Sequence, residues 1–290
     1  MSERIAIIGP GRMGLALGAA LVQCQAAERL VFYGRALEPP PHPLFDPDHP
    51  GGLYRPGIGP IEEGTTIVVL AVPDHALPEV AYDLAMVGRA PVGCAALHLS
   101  GALSTDVLAP LHFAGYAVGS MSPFQTVADP WSGGDRLIGA AFALAGEPAA
   151  IAAGRRLVRA LGGRDLVIPP NLRPLYHAAA VFASNYVVTV AAVAVRLLRQ
   201  AGIPEEDAVA ATLPLLRSTV DDLEHLGFPA ALTGPIVRGD VDAVRLHLGR
   251  LSPSDRSLYS ALGRETLRLA RLAGLDPDRA AELESLLAVD

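Results

Sequence analysis

The chain has 290 residues, 51% of them hydrophobic, which suits two domains with separate cores. Its formal net charge is −7, and all 23 Lys-or-Arg positions are arginine. The acidic balance argues against non-specific binding to nucleic acid or an anionic membrane, and the absence of lysine excludes a Schiff base, a P-loop lysine and a lysine general acid.

An apolar run from Ile5 to Ile8 predicts a strand, which breaks into Gly9-Pro10-Gly11-Arg12-Met13-Gly14 at the spacing G-x-G-x-x-G. In that context Gly9 permits the turn, Gly11 leaves room for a pyrophosphate, and Gly14 lets the next helix pack closely on the sheet. Leu15 to Leu21 reads as that helix, whose first N–H groups face phosphate together with Met13 and the guanidinium of Arg12. Arg29 to Gly34 predicts the second strand. About 20 residues beyond Gly14, where a carboxylate would bind the ribose of NAD, stands Arg35. A guanidinium there forks onto a 2′-phosphate and favours NADP; the alternative is a solvated surface arginine.

Residues 36–64 hold eight prolines, so a crossover helix is shortened or replaced by a loop. His42, Asp46, Asp48 and His49 crowd this stretch without a recognisable ligand spacing, and no metal is expected. Strands follow at Thr66–Val72, Cys94–Leu99, Tyr116–Ser120, Ala140–Ala145 and Asp165–Ile168. Helices are expected at Leu77–Met86, Ser104–His112 and Pro148–Leu161. This alternation predicts an α/β fold with a doubly wound, mostly parallel Rossmann-like sheet. Its ligand sits at the carboxyl ends of the strands, which adds Val72, Pro73, Asp74 and Ser100 to the cofactor-binding residues.

Beyond Asn171 the strands stop. A long helix is expected over Leu172–Gln200, then helices near 204–226, 240–250, 253–273 and 277–288. The expected domains are therefore 1–168, binding NADP, and 169–290, all-helical. The apolar run Val187–Val195 is too short to span a bilayer, and no leader peptide is read, so a cytoplasmic protein is expected. Cys24 and Cys94 read as reduced thiols. The first long helix is too apolar to stand exposed, which points to the centre of a bundle or to a homodimer formed through the helical domain.

Six segments together resemble a known family: GPGRMG (9–14), AVPDHAL (71–77), LHLSGALSTDVLAPL (97–111), GSMSPFQTV (119–127), YHAAAVFASNYVV (176–188) and LTGPIVRGD (232–240). They are similar to uncharacterised oxidoreductases that pair a Rossmann-like NADP-binding domain with a helical domain of unknown function, DUF2520. More distant similarity extends to pyrroline-5-carboxylate reductases, prephenate dehydrogenases and 3-hydroxyacid dehydrogenases. The resemblance implies an NADP(H)-dependent oxidoreductase and names no substrate. Members usually read His-Pro where this chain has Ser122-Pro123, which puts an acid–base role there in doubt. The lysine that 3-hydroxyacid dehydrogenases carry four residues before an asparagine corresponds to Val181, so their lysine chemistry is absent. Thr233-Gly234-Pro235 resembles a helix-initiating segment that receives a carboxylate in the pyrroline-5-carboxylate reductases, with Arg238 nearby.

Hydride transfer to a C=O or C=N carbon also requires a proton for the heteroatom. On the long helix His177 and Ser184 share a face, Asn185 lies alongside and Tyr176 points elsewhere. This spacing favours His177 as proton donor, with Ser184 and Asn185 orienting the substrate; the alternative is hydrogen bonding between helices. Ser100 and Ser122, at strand ends, are further catalytic candidates, Ser100 serving equally well as a turn cap. The expected activity is hydride transfer between NADPH and a small anionic carbonyl or imine compound. The other reading is an NADP-binding sensor or interaction protein without turnover.

Overall fold

A computed structural model describes residues 3–48 and 51–288, the side chain of Pro170 excepted. β1 (Glu3–Ile8) leads into α1 (Arg12–Gln23) and β2 (Ala27–Gly34). In β1 the side chains alternate between the sheet's faces: Ile5 and Ile7 join one apolar cluster, Ala6 and Ile8 the other. Both faces are covered, which explains why the strand reads as an unbroken apolar run.

The proline-rich stretch forms a 3-10 turn at Pro43–Phe45 and then β3 (Leu53–Pro56), a strand that the sequence reading missed. β3 lies at the sheet edge and ends in Pro56, where the missing N–H breaks no inner ladder. His42, from the same stretch, is committed to local structure: Nδ1 accepts from the Leu44 N–H, and Nε2 lies 3.3 Å from the Pro130 carbonyl. His49 and Pro50 lie outside the described residues.

Next come β4 (Ile67–Leu70), α2 (Leu77–Val87), β5 (Ala95–His98), α3 (Ala109–Phe113) and β6 (Ala117–Pro123). α4 (Gly133–Leu137) was also unexpected, because its two glycines are poor helix formers. They let it approach α1: a Cβ on Gly133 would lie 2.9 Å from the Ala16 methyl. β7 (Ala141–Gly146), α5 (Pro148–Ala160) and β8 (Arg164–Val167) complete the sheet.

The eight strands run in the order β3-β2-β1-β4-β5-β6-β7-β8 and are parallel except for the antiparallel pair β6–β7. The chain reverses its direction of winding between β1 and β4, so the crevice outside their carboxyl ends is the ligand position of this topology. The α/β, doubly wound, mostly parallel fold read from the sequence is the fold observed.

The long helix expected over Leu172–Gln200 is two helices, α6 (Arg173–Ala183) and α7 (Asn185–Gln200). Between them Ser184 leaves helical geometry, with φ −132° and ψ −70°, and its hydroxyl donates to the Ala180 carbonyl at 2.6 Å. A serine bonded back onto the preceding turn bends a helix in this way. The remaining helices are α8 (Glu205–Leu226), α9 (Val241–Arg250), α10 (Pro253–Leu272) and α11 (Pro277–Leu287). Of these, α9, α10 and α11 enclose a third core around Val244, Leu248, Leu267 and Leu283.

Backbone contacts divide the chain into two compact units, Met1–Val187 and Val188–Asp290. The expected boundary, after residue 168, followed the last strand. α6 nevertheless stays with the sheet, because Arg173 and Tyr176 bond to strand residues.

The helical run Arg173–Gln200 is long and apolar enough, by length and composition, to cross a membrane, and none of its most apolar window is buried. It is longer than the run Val187–Val195 read from the sequence, because the alanines and Phe182 of α6 extend it. Uncovered apolar surface continues on α8, where among the described residues only Ala208 and Thr212 are buried.

Candidate functional site

The glycine loop after β1 has the shape that a pyrophosphate requires. Gly9 has φ +102°, and a Cβ there would lie 2.8 Å from the Ala71 carbonyl at the end of β4. On Gly14 a Cβ would meet the Gly9 carbonyl at 2.1 Å, whereas one on Gly11 would meet nothing within 4 Å. The loop is thus packed shut towards the sheet and open at the position that a phosphate approaches. α1 begins at Arg12 with no side-chain cap and no acidic residue in its first turn. Its first N–H groups, that of Met13 among them, are therefore left for an anion.

Arg12 and Arg35 are both exposed, the latter just past the end of β2. The corner before Arg35 is narrow: Tyr54 donates to the Ala36 carbonyl at 2.7 Å, and a Cβ on Gly34 would lie 2.7 Å from the Tyr54 hydroxyl. Val72 is half-buried against the Gly9 turn, while Pro73 and Asp74 are exposed beyond β4. The glycine turn fits a dinucleotide by shape, and Arg12 and Arg35 add positive charge.

A second set of side chains meets at the carboxyl ends of β5 and β6, and α6 supplies most of it. Arg173, Tyr176 and His177 are spaced i, i+3, i+4, which places them on one face. Arg173, 2% exposed, donates to the Ser100 carbonyl and to Ser120 Oγ, each at 2.6 Å. Tyr176 donates to the Ser122 carbonyl at 3.1 Å and packs against Phe124. His177, carried by this anchored turn, lies over Gly101: a Cβ there would be 3.0 Å from His177 Nδ1 and 3.2 Å from Ser122 Oγ. A side chain on Gly101 would crowd the point that His177 and Ser122 both approach.

The electrostatics beneath this point are set by burial. His98, at the end of β5, is fully buried, and its ring has no polar contact beyond a weak approach to the Ser104 backbone. Burial, reinforced by the Arg173 charge, pushes it down to about 4, against only a small opposing effect of the Ser104 backbone. Burial also lowers Arg173 below the ordinary guanidinium range, while Tyr176 and Asp74 oppose the shift. The Tyr176 phenol is raised, again chiefly by burial.

Ser100 is fully engaged. Its hydroxyl donates to Asp74 Oδ2 at 2.9 Å and accepts from the Ala102 and Leu103 N–H groups at 3.2 and 3.0 Å. That is a turn cap, tied to the neighbouring strand end through Asp74. Ser122 is buried, with its hydroxyl beside the Gly101 position. Ser184 sits at the break between α6 and α7, its hydroxyl 2.9 Å from Asn185 Oδ1. The shared face of His177, Ser184 and Asn185 assumed an unbroken helix, and the break at Ser184 removes that premise. Tyr176, expected to point elsewhere, faces the strand ends. The Gly234-Pro235 segment is a turn and starts no helix; Asp240 instead caps α9 through the Ala243 N–H.

Sequence reasoning missed Arg173, His98 and Gly101. One signal was present: Arg173 stands four residues before His177 on the same helix face, in the direction away from Asn185.

Residues 140–266 match the family described as Domain of unknown function (DUF2520), and residues 57–122 match a Rossmann-like domain. Among solved structures, a protein of Thermotoga maritima is 20% identical over 93% of this chain and 99% of its own, with a TM-score of 0.70. A candidate NADP oxidoreductase of Bacteroides fragilis is 22% identical over 91% and 98%, with a TM-score of 0.67. A Plasmodium falciparum pyrroline carboxylate reductase, solved with NADP bound, is 12% identical over 99% and 98%, with a TM-score of 0.57. No curated protein matches the sequence. Two separate stretches of the chain thus match a Rossmann-like model and the DUF2520 model, the two parts that the family resembled by its six motifs also combines.

Proposed function

We propose that the protein is an NADP(H)-dependent oxidoreductase that moves hydride between NADPH and a small anionic carbonyl or imine compound. The observation that carries this reading is the placement of the open glycine cradle and the His177–Gly101–Ser122 point at the carboxyl ends of the mutually parallel strands β1, β4, β5 and β6. The Bacteroides and Plasmodium proteins, named for NADP oxidoreduction and NADP binding, support the choice of cofactor. NADPH, when bound, supplies the hydride. Gly9, Gly11, Gly14 and the first turn of α1 hold its pyrophosphate, with Arg12 as a further phosphate contact. Arg35 takes the 2′-phosphate, and Val72, Pro73 and Asp74 line the crevice. His177, exposed beside Gly101, holds the proton for the acceptor heteroatom.

The test is fluorescence titration with both nicotinamide cofactors, followed by assays on a panel of keto acids and cyclic imines. Arg35→Ala weakens NADPH binding by about tenfold or more, the worth of a charge-assisted contact, and leaves NADH nearly unchanged. Equal effects on both cofactors would remove Arg35 from the site, and no NADPH binding by the parent protein would refute the function. A second reading, NADP binding without turnover, draws on Ser122 standing where related chains carry histidine. Sustained NADPH oxidation on any member of the panel eliminates it.

The uncovered faces of α7 and α8 favour a second copy of the chain as partner. A bilayer is the poorer occupant: Arg173 and Tyr176 hold α6 on the sheet, and the 16 residues of α7 extend only about 24 Å, short of a hydrocarbon core of about 30 Å.

A further inference from the structure

The buried guanidinium of Arg173 has no part in the reading above. Both of its bonds go to neutral oxygens, the Ser100 carbonyl and Ser120 Oγ, and its Nε has no partner. The Asp74 carboxylate, held on Ser100 Oγ, favours the charged form from a distance, but a buried cation whose own bonds go to neutral oxygens still favours a further anion close by.

The Ser100–Gly101 peptide passes that charge on. A trans peptide sets its N–H antiparallel to its C=O, and the cis bond found among the described residues is elsewhere, at Phe228–Pro229. With the Ser100 carbonyl turned to Arg173, the Gly101 N–H points the opposite way. The Ala102 and Leu103 amides are taken by Ser100 Oγ, whereas the Gly101 N–H makes no hydrogen bond among the described residues. A guanidinium on the carbonyl polarises the peptide and strengthens the donor at its other end. The missing side chain of Gly101 keeps the space beside His177 Nδ1 and Ser122 Oγ open.

We propose that Arg173 is a positioning residue that fixes this peptide, so that the Gly101 N–H receives a carboxylate oxygen of the substrate next to His177. The inference rests on the oxidoreductase reading for the word substrate, but the carboxylate site can be tested without turnover.

The experiment is an NMR titration of the full chain, labelled with 15N-glycine, using oxamate as a carboxylate that cannot be reduced and acetamide as its neutral control. The Gly101 resonance is assigned by its loss in Gly101→Ala. Oxamate is expected to move the Gly101 amide proton downfield and to saturate, and acetamide to leave it in place. Arg173→Lys, able to reach only one of the two oxygens, weakens oxamate about tenfold, and Arg173→Met abolishes the Gly101 response, while NADPH affinity in both stays within about twofold of the parent. A merely structural role would instead move NADPH affinity along with oxamate affinity. A Gly101 amide that does not respond in the parent, or equal oxamate affinity in parent and variants, overturns the proposal. If Arg173→Met does not fold, the parent titration and Arg173→Lys decide. Failure of the parent to bind NADPH refutes the oxidoreductase reading alone, since the oxamate titration is run with and without cofactor.

Discussion

His177 illustrates how much a single side chain owes to its neighbours. It is exposed, yet its position is fixed one turn away, where Arg173 and Tyr176 grip the ends of β5 and β6. His177→Ala is expected to lower kcat for reduction by about 10²- to 10⁴-fold, the range for loss of a general acid, with NADPH affinity unchanged. Stopped-flow measurement of NADPH oxidation checks this, and a kcat within about twofold of the parent would assign the proton to another group. His98 makes a separate prediction about stability. Its folded-state pKa, about 4, lies below the ordinary 6.5, so the unfolded chain binds the extra proton first as the pH falls. The stability tied to neutral His98 is fully present above pH 6.5 and is lost as the pH drops towards 4, a change on the order of 3 kcal/mol. Urea denaturation across this range should show the loss in the parent and a flatter profile in His98→Leu. At this scale the glycine spacing and His177 could be singled out in the sequence, because their types suggest a chemistry; their roles belong to the function proposed above. Arg173 and His98 stayed hidden, because an arginine or histidine reads alike whether it ends at a strand terminus or in water.

Among the elements, those with a strong local signal were legible and those without one were not. β1, β2, β4, β5 and the amphipathic α5 carry unbroken apolar runs or a clear helical period, and each appears within a few residues of its expected span. β3 lies in a proline-rich stretch and exists because β2 offers it an edge; α4 contains two glycines and exists because α1 offers it a small-residue face. The break at Ser184 was missed because both sides of it read as apolar helix, while the interruption arises from one side-chain hydrogen bond. The join between β1 and α1 yields a prediction of its own. Gly14→Ala would set a Cβ 2.1 Å from the Gly9 carbonyl, and should destabilise the protein by about 1–3 kcal/mol while weakening NADPH binding. Urea denaturation monitored by circular dichroism gives the first quantity. Unchanged stability would show that the loop can move aside.

For the whole molecule, the prediction concerns the surface that the chain does not cover for itself. Val188 on α7 is 71% exposed and Leu215 on α8 is 69% exposed, more apolar exposure than isolated surface residues explain. Light scattering behind size exclusion should give twice the 30.2 kDa chain mass in the absence of detergent. Val188→Glu and Leu215→Glu, which place charge in the proposed interface, should shift the protein towards the monomer or aggregates. A monodisperse monomer in the parent, or a requirement for detergent, would rule the second copy out. By itself the sequence determined the fold class, the glycine turn between β1 and α1, and the change from α/β to all-helical architecture, because each is written in local patterns of a few residues. Only the tertiary structure decided which face of α6 meets the strand ends, that Ser100 is a cap, and that a buried guanidinium lies behind Gly101. The first and last depend on distant residues being brought within hydrogen-bonding distance, as Arg173 is with Ser100 and Ser120 across 73 and 53 positions, and the Ser100 cap is tied to Asp74 across 26. No local periodicity encodes such pairings; they follow from the order of the strands in the sheet.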